Sequence, residues 1–429
     1  MNRPAVSPLV VSLICAALAA PVAHAESWTL YCPQLFDSVQ ARVLGPHLIE
    51  IEGDRISALS AADKIPAAAV RAEGVCSPGW IDLHTHLTTD PSGQGFTEPY
   101  RLNPTDIAYR AHANGVLTLR AGFTTVRDLG DNWGVTVSLR NAVNSGIMSG
   151  PRIFTSGKSI ATTGGHADPS NGTSMRFMGD PGPAQGVVNS PSDARKAVRQ
   201  RYKEGSDLIK ITATGGVLSI AKNGLNPQFE QAELDAIVKT AKDYGLTVAA
   251  HAHGIEGMKR AVLAGVISIE HGTFMNDEVM ALMRERGTYY VPTLMAGAWV
   301  AAKAEVPGFY VPMVAAKARY IGPQISKTLS KAYAAGVSIA FGTDAGVYPH
   351  GRNGEEFALL VKAGVPLLKA LQMATLSAAK VIQQEQTLGT IAPNYYADIV
   401  VFPASAMNDA SELSRVLMVV KGGQIVSAK

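Results

Sequence analysis

From residue 80 onward, short apolar runs alternate with stretches whose apolar residues return every three to four positions. The runs read as buried strands and the longer period as amphipathic helices. Strands are expected at 81–86, 123–128, 152–155, 208–214, 247–251, 267–270, 289–292 and 337–343. Helices fall between them at 231–244, 255–264, 277–287 and 315–335, and 366–384 supplies the last. Strands that alternate with helices form a parallel sheet, and eight such units are the number of a closed (β/α)8 TIM barrel. The stretch 157–191, rich in Gly, Pro, Ser and Asp, is long for a plain connection and should hang over the barrel mouth.

Both ends of the chain carry a different pattern. Residues 28–32, 47–52 and 55–58 read as short strands without helical period, with a Gly-Asp turn between the last two. Residues 388–391, 397–402 and 417–426 return to β character, with Lys421-Gly422-Gly423 as a hairpin turn. The expected organisation is an α/β chain: a barrel over 79–385 and a small β-sandwich built jointly from 26–78 and 386–429.

Residues 1–25 have the pattern of a secretory leader: Arg3, an apolar run from Leu9 to Ala20, and a small-x-small site at Ala23-His24-Ala25. The apolar run is too short to span a bilayer. The expectation is a secreted or periplasmic protein, cleaved near Ala25. Of the three cysteines, Cys15 lies in the leader, which leaves Cys32 and Cys76. In an oxidising compartment they form one disulfide; otherwise they are two buried thiols. With 38 basic against 35 acidic residues and no basic patch, nothing points to nucleic acid or to a membrane surface.

Candidate chemistry gathers at the C-terminal strand ends, where such barrels carry their sites. The first strand ends in His84-Thr85-His86, two imidazoles on one strand face. The fourth carries Lys210 between Ile209 and Ile211, which by alternation points Lys210 into the barrel. The fifth ends in His251-Ala252-His253, the sixth in Glu270-His271-Gly272, and the eighth in Gly342-Thr343-Asp344. Each feature alone is weak; five of the ten histidines, a lysine and an aspartate on one rim suggest a metal site.

This arrangement resembles the metal-dependent amidohydrolase superfamily over nearly the whole chain beyond the leader. Gly79-x-Ile81-Asp82-x-His84-x-His86, Lys210, His251, His271 and Gly342-Thr343-Asp344 carry the resemblance. Within the superfamily the chain looks most like the branch holding imidazolonepropionase-like enzymes, Xaa-Pro and Xaa-Arg dipeptidases and ochratoxin-hydrolysing amidases. Thr163-Gly164-Gly165-His166, the run from Lys210 to Val217, and His251-Ala252-His253-Gly254 are similar to those dipeptidases and ochratoxin amidases in particular. The resemblance implies two divalent metal ions, zinc first among them, with Lys210 carboxylated to an anionic bridge. His84, His86, Lys210 and Asp344 would hold one metal, and Lys210, His251 and His271 the other. It further implies attack by a metal-bridged hydroxide, with Asp344 moving the proton to the leaving amine. The substrate would be a small-molecule amide next to a free carboxylate: a dipeptide, an N-acyl amino acid or ochratoxin A. A homo-oligomer, an octamer by analogy, is also implied.

Strand parity does not separate His251 from His253; the resemblance makes His251 the ligand and leaves His253 to the substrate. His166 is a second substrate contact of that kind. Val217 and Leu218 line an apolar pocket or pack in the core. Arg127 and Asp128 read as a structural pair, and His350 and Arg352 as candidates for a carboxylate. Phe177, Tyr348 and Phe357 are compatible with a bulky apolar substrate. Gly164-Gly165 and Gly215-Gly216 read as turns that let loops approach the site. Two alternatives remain. One is ring opening of a cyclic amide or lactone on the same site; Lys210 argues against deamination. The other is a non-catalytic relative, which would have lost ligands that this chain keeps.

Overall fold

The computed structural model describes residues 27–92 and 97–428; the expected leader lies outside them. The N-terminal part forms β1 (Ser27–Cys32), β2 (Gln34–Asp37), β3 (Arg42–Leu44), β4 (His47–Glu52), β5 (Arg55–Ala61), β6 (Val70–Arg71) and β7 (Val75–Pro78). Then come β8 (Trp80–Thr85), β9 (Phe123–Asp128), β10 (Arg152–Thr155), β11 (Ile209–Thr212), β12 (Val248–Ala252), β13 (Ser268–His271) and β14 (Tyr289–Val291). The chain closes with β15 (Ile399–Phe402), β16 (Met418–Lys421) and β17 (Gln424–Ala428).

Strands β8–β9–β10 pair in parallel, and so do β11–β12–β13–β14. A parallel bridge from Ile160 to Ile211 links the two groups on one side. On the other side, parallel bridges Tyr290–Ile339 and Thr85–Ala345 set the segment 339–345 between β14 and β8. The eighth strand expected at 337–343 is therefore not a regular strand. Part of its ladder is replaced by a side chain: Asp82 Oδ1 accepts from the Thr343 amide at 3.0 Å and Oδ2 from its hydroxyl at 2.6 Å. Asp344 then turns into the left-handed region at φ 61°, which a strand cannot continue.

Three expected helices appear with ends shifted by at most one residue: Gln231–Asp243, Ile255–Ala264 and Asp277–Arg286. The helix expected at 315–335 is two helices, Pro312–Ile321 and Ile325–Ala334, separated at Gly322-Pro323. Proline lacks the amide the helix needs. Gly322 has to be glycine, because a Cβ there would lie 2.6 Å from the Gly297 carbonyl oxygen. A further helix, Leu294–Ala304, escapes the pattern; the Glu356 carboxylate caps it, accepting from the Leu294 and Met295 amides at 2.7 Å each. No strand forms at 388–391, where Gly389 sits at φ 81°.

The ends of the chain build two sheets. One runs β17-β16-β15-β7-β2-β3, with β15 antiparallel to β7, so strands from both ends of the chain share it. The other, β5-β4-β1-β6, comes from the N-terminal part alone. Leu30, Ile49 and Ile51 of one sheet share an apolar cluster with Leu35, Ile399 and Val401 of the other. Cys32 and Cys76 form a disulfide across it, with Cα atoms 5.9 Å apart. Within the described residues, no helix is long and apolar enough to cross a membrane.

Candidate metal centre

A cavity of ≈ 450 Å³ opens where β8, β11, β12 and β13 end. His84, His86, Lys210, His251, His271 and Asp344 all border it. So do His253, His166, Val217 and Leu218. His84 Nε2 and His86 Nε2 each stand 3.4 Å from Asp344 Oδ1. These three side chains offer ligand atoms within 4.8 Å of one another. Asp344 Oδ1 is buried and accepts no hydrogen bond. A bare carboxylate oxygen in the interior is costly unless a cation faces it.

The histidines are prepared in a consistent way. His84 Nδ1 donates to Glu270 Oε2 at 2.9 Å and His86 Nδ1 to the Gly130 carbonyl at 3.3 Å. The Thr293 hydroxyl spends its proton on the Pro292 carbonyl and so accepts from His271 Nδ1 at 2.8 Å. His251 Nε2 donates to the Gly215 carbonyl at 3.0 Å. These acceptors fix the tautomers, leaving Nε2 of His84, His86 and His271 and Nδ1 of His251 as bare lone pairs. Burial, with Lys210 nearby, pushes His86 down to about 4 and His84 well below its usual value. Burial also holds His251 and His271 well below their usual value, so all four rings are neutral at pH 7.

Burial also holds Lys210 down to about 8 and Asp344 up to about 8, each opposing the other's shift. Neither charge is comfortable in this interior without a further counter-charge. Neutral imidazoles, a carboxylate and an amine able to carry carbon dioxide, with no thiolate, form a donor set that suits zinc, manganese or cobalt. The residues present thus fit a divalent metal ion at His84, His86 and Asp344.

Positioning reaches one layer further out, and there the sequence reading fell short. Arg127 does not pair with Asp128. Its Nη2 donates to Glu270 Oε1 at 2.7 Å and its Nε to the Leu83 carbonyl at 2.7 Å. The Asp128 carboxylate instead accepts from the Leu87 and Gly130 amides. Glu270 therefore joins Arg127 to His84 and belongs with the site. Asp82 holds β8 to the 339–345 segment, accepting also from the His84 amide at 3.1 Å and from Asn353 Nδ2 at 2.8 Å.

His253 Nδ1 lies 2.7 Å from the Thr273 hydroxyl, and burial takes the ring down to about 3. His166 stacks on His251 with centroids 4.4 Å apart, and its buried Nδ1 has no partner. Gly216 makes room for that ring, since a Cβ there would lie 2.3 Å from it. Facing the ligand cluster is an apolar wall that the sequence reading saw only as Val217 and Leu218. Ala296 and Val300 from Leu294–Ala304, with Ile321 and Ile325 from the broken helix, complete it.

Other candidates fall elsewhere. His350 lies under His86, bonded to the Thr118 hydroxyl and the His86 carbonyl, and Arg352 pairs with Glu355. Neither borders the cavity. Tyr348 and Phe357 are wholly buried away from it, and Phe177 is 75% exposed on the long loop.

Comparison with known proteins agrees with this geometry. Residues 75–426 match the Amidohydrolase family model. Ochratoxinase of Aspergillus niger is 30% identical over 369 residues, covering 82% of this chain and 75% of the relative. Its crystal structure superposes with a TM-score of 0.83 at 27% identity, over 94% of this chain and 96% of that one. A Xaa-Pro dipeptidase with methionine bound in its active site superposes with a TM-score of 0.91 at 46% identity, over 94% and 100%. A prolidase complexed with N-methylphosphonate-L-proline gives a TM-score of 0.84 at 31% identity, over 94% and 100%.

Proposed function

Because the chain belongs to the amidohydrolase family, with prolidases and ochratoxinase among its structural neighbours, we propose that it is a secreted, metal-dependent hydrolase. Its bond is an amide beside a free carboxylate, in a dipeptide, an N-acyl amino acid or ochratoxin A. The observation that carries the reading is the orphaned Asp344 Oδ1 facing two Nε2 lone pairs in a cavity that also holds Lys210, His251 and His271. The related prolidase binds a proline derivative and the related dipeptidase a free amino acid, both small carboxylates.

His84, His86 and Asp344, with Lys210 if it is carboxylated, would hold one divalent ion, and Lys210, His251 and His271 would hold a second. Such a pair, when bound, supplies Lewis acidity toward the scissile carbonyl and a water of lowered pKa. Asp344 receives the water's proton and delivers it to the leaving nitrogen. His253 and His166, neutral and facing the cavity, donate to the substrate's carbonyl or carboxylate oxygens. The apolar wall holds the side chain of the scissile amide. Glu270 and Asp82 keep the ligands in place. In this reading the strands and the 339–345 segment close an eight-membered barrel, the two outer sheets pack as a β-sandwich, and the enzyme works as a homo-oligomer. The disulfide suits the oxidising compartment to which the leader would send it.

The test is hydrolysis by the zinc-loaded protein of ochratoxin A, N-acetylphenylalanine, Xaa-Pro and Xaa-Arg dipeptides and a lactone. Amine release that stops with chelator, and falls at least ~10²-fold in Asp344→Asn with the fold intact, is expected. Opening of the lactone alone would replace amide hydrolysis with ring opening.

A further inference from the structure

The apolar wall is held by a residue the mechanism does not use. Lys317, on Pro312–Ile321, is 9% exposed and forms no ion pair among the described residues. Its Nζ donates at 2.7, 2.7 and 2.8 Å to the carbonyls of Gly216, Ser219 and Ala221. An ammonium has three protons, and all three are spent on one loop. That loop leaves β11 and returns before Gln231–Asp243, closed at its base by the Thr214–Pro227 bridge and by the Gly215 amide on the Asn226 carbonyl. Its crest carries Val217 and Leu218, which border the cavity.

Without the ammonium, those three carbonyls would converge on empty space, which buried acceptors do not tolerate. The loop also needs close approach to the same helix: a Cβ at Gly224 would lie 2.8 Å from Ile321 Cδ1 and 3.4 Å from Lys317 Cδ. Ile321, one turn on from Lys317, is itself part of the wall. Val217, Val300 and Ile321 fall in one apolar cluster. The ammonium therefore fixes the spacing between the two halves of the pocket.

We propose that Lys317 is a specificity-positioning residue: by clasping the crest of the 214–227 loop it shapes the pocket that takes an uncharged aliphatic or aromatic side chain of the substrate. The proposal rests on the amide reading for its substrate but not for the clasp. A buried cation just behind the wall also disfavours a cationic side chain in that pocket.

The experiment compares metal-loaded wild type, Lys317→Met and Lys317→Ala on N-acetylphenylalanine and N-acetylglycine, alongside hydrogen exchange of the loop amides. In Lys317→Met, exchange at 216–222 should quicken. KM for the phenylalanine amide should rise about tenfold, the scale of lost apolar pocket contacts, while kcat and the glycine amide change less than about twofold. Added n-propylammonium should slow exchange and lower KM again in Lys317→Ala, because it restores the missing group. Unchanged exchange, or equal losses on both amides, or a fall in kcat alone, would overturn the proposal. If wild type cleaves neither amide, the amide reading fails, and exchange with and without propylammonium still decides the clasp.

Discussion

The two walls of the cavity are made differently. The ligand wall comes from strand ends, and its imidazoles are each locked by a carboxylate, a hydroxyl or a carbonyl. The apolar wall comes from three helices and a loop that meet only in the folded chain, spaced by Gly297, Gly322 and Lys317. The first wall demands particular atoms at particular places. The second demands only volume and dryness, which many sequences satisfy. Chemistry and selectivity are thereby carried by parts of the chain that can change independently.

That division is open to attack from both sides. The largest effect should come from Lys210→Ala, which removes the bridge that the proposed two-metal site requires; turnover should fall to background and metal content, measured by mass spectrometry, should fall with it. Retained activity would break the two-metal reading. Glu270→Gln should keep the fold but weaken metal affinity about 10–100-fold, the usual cost of losing the partner that orients a ligand histidine. Competition with a chelator measures it. On the other wall, Val300→Ala should raise KM for a phenylalanine-type amide by a factor of about 5–10, leaving kcat and metal content alone.

The smallest effect is one of pH. Burial keeps His166 and His253 neutral down to about 3. In the unfolded chain such rings take up a proton near ~6.5. The stability they contribute is thus complete above that value and is lost as the pH falls toward 3. On folded enzyme, kcat/KM should show no break near ~6.5 from either ring. A break there that vanished in His253→Asn would return that ring to solvent and redraw the boundary between the walls.

The ligand wall was legible because strand periodicity forces it: His84 with His86, and Lys210 between isoleucines, can face only one way. Glu270 left a signal that went unread. It is an acid inside a buried strand, as Arg127 is a base inside another, and two such charges must find each other. Gly322-Pro323 likewise announced the break in the helix expected at 315–335. The apolar wall gave no comparable sign. Val300 and Ile321 look like any core residue until distant helices are set side by side, and the three carbonyls on Lys317 belong to main chain that no side-chain pattern describes. The irregular eighth segment was hidden for a related reason, since Asp82 supplies from another strand the hydrogen bonds a ladder would have given.

One pairing bears on how the molecule is made. Strand β7 lies between β2 and β15, two residues ahead of the strand that carries His84. Its neighbour on one side is synthesised among the first segments and on the other among the last. While the ribosome is still at work, β7 has an open edge and β8 hangs from an unfinished sheet. The sheet from which β8 departs is therefore complete only once residues 399–402 are present to pair with β7.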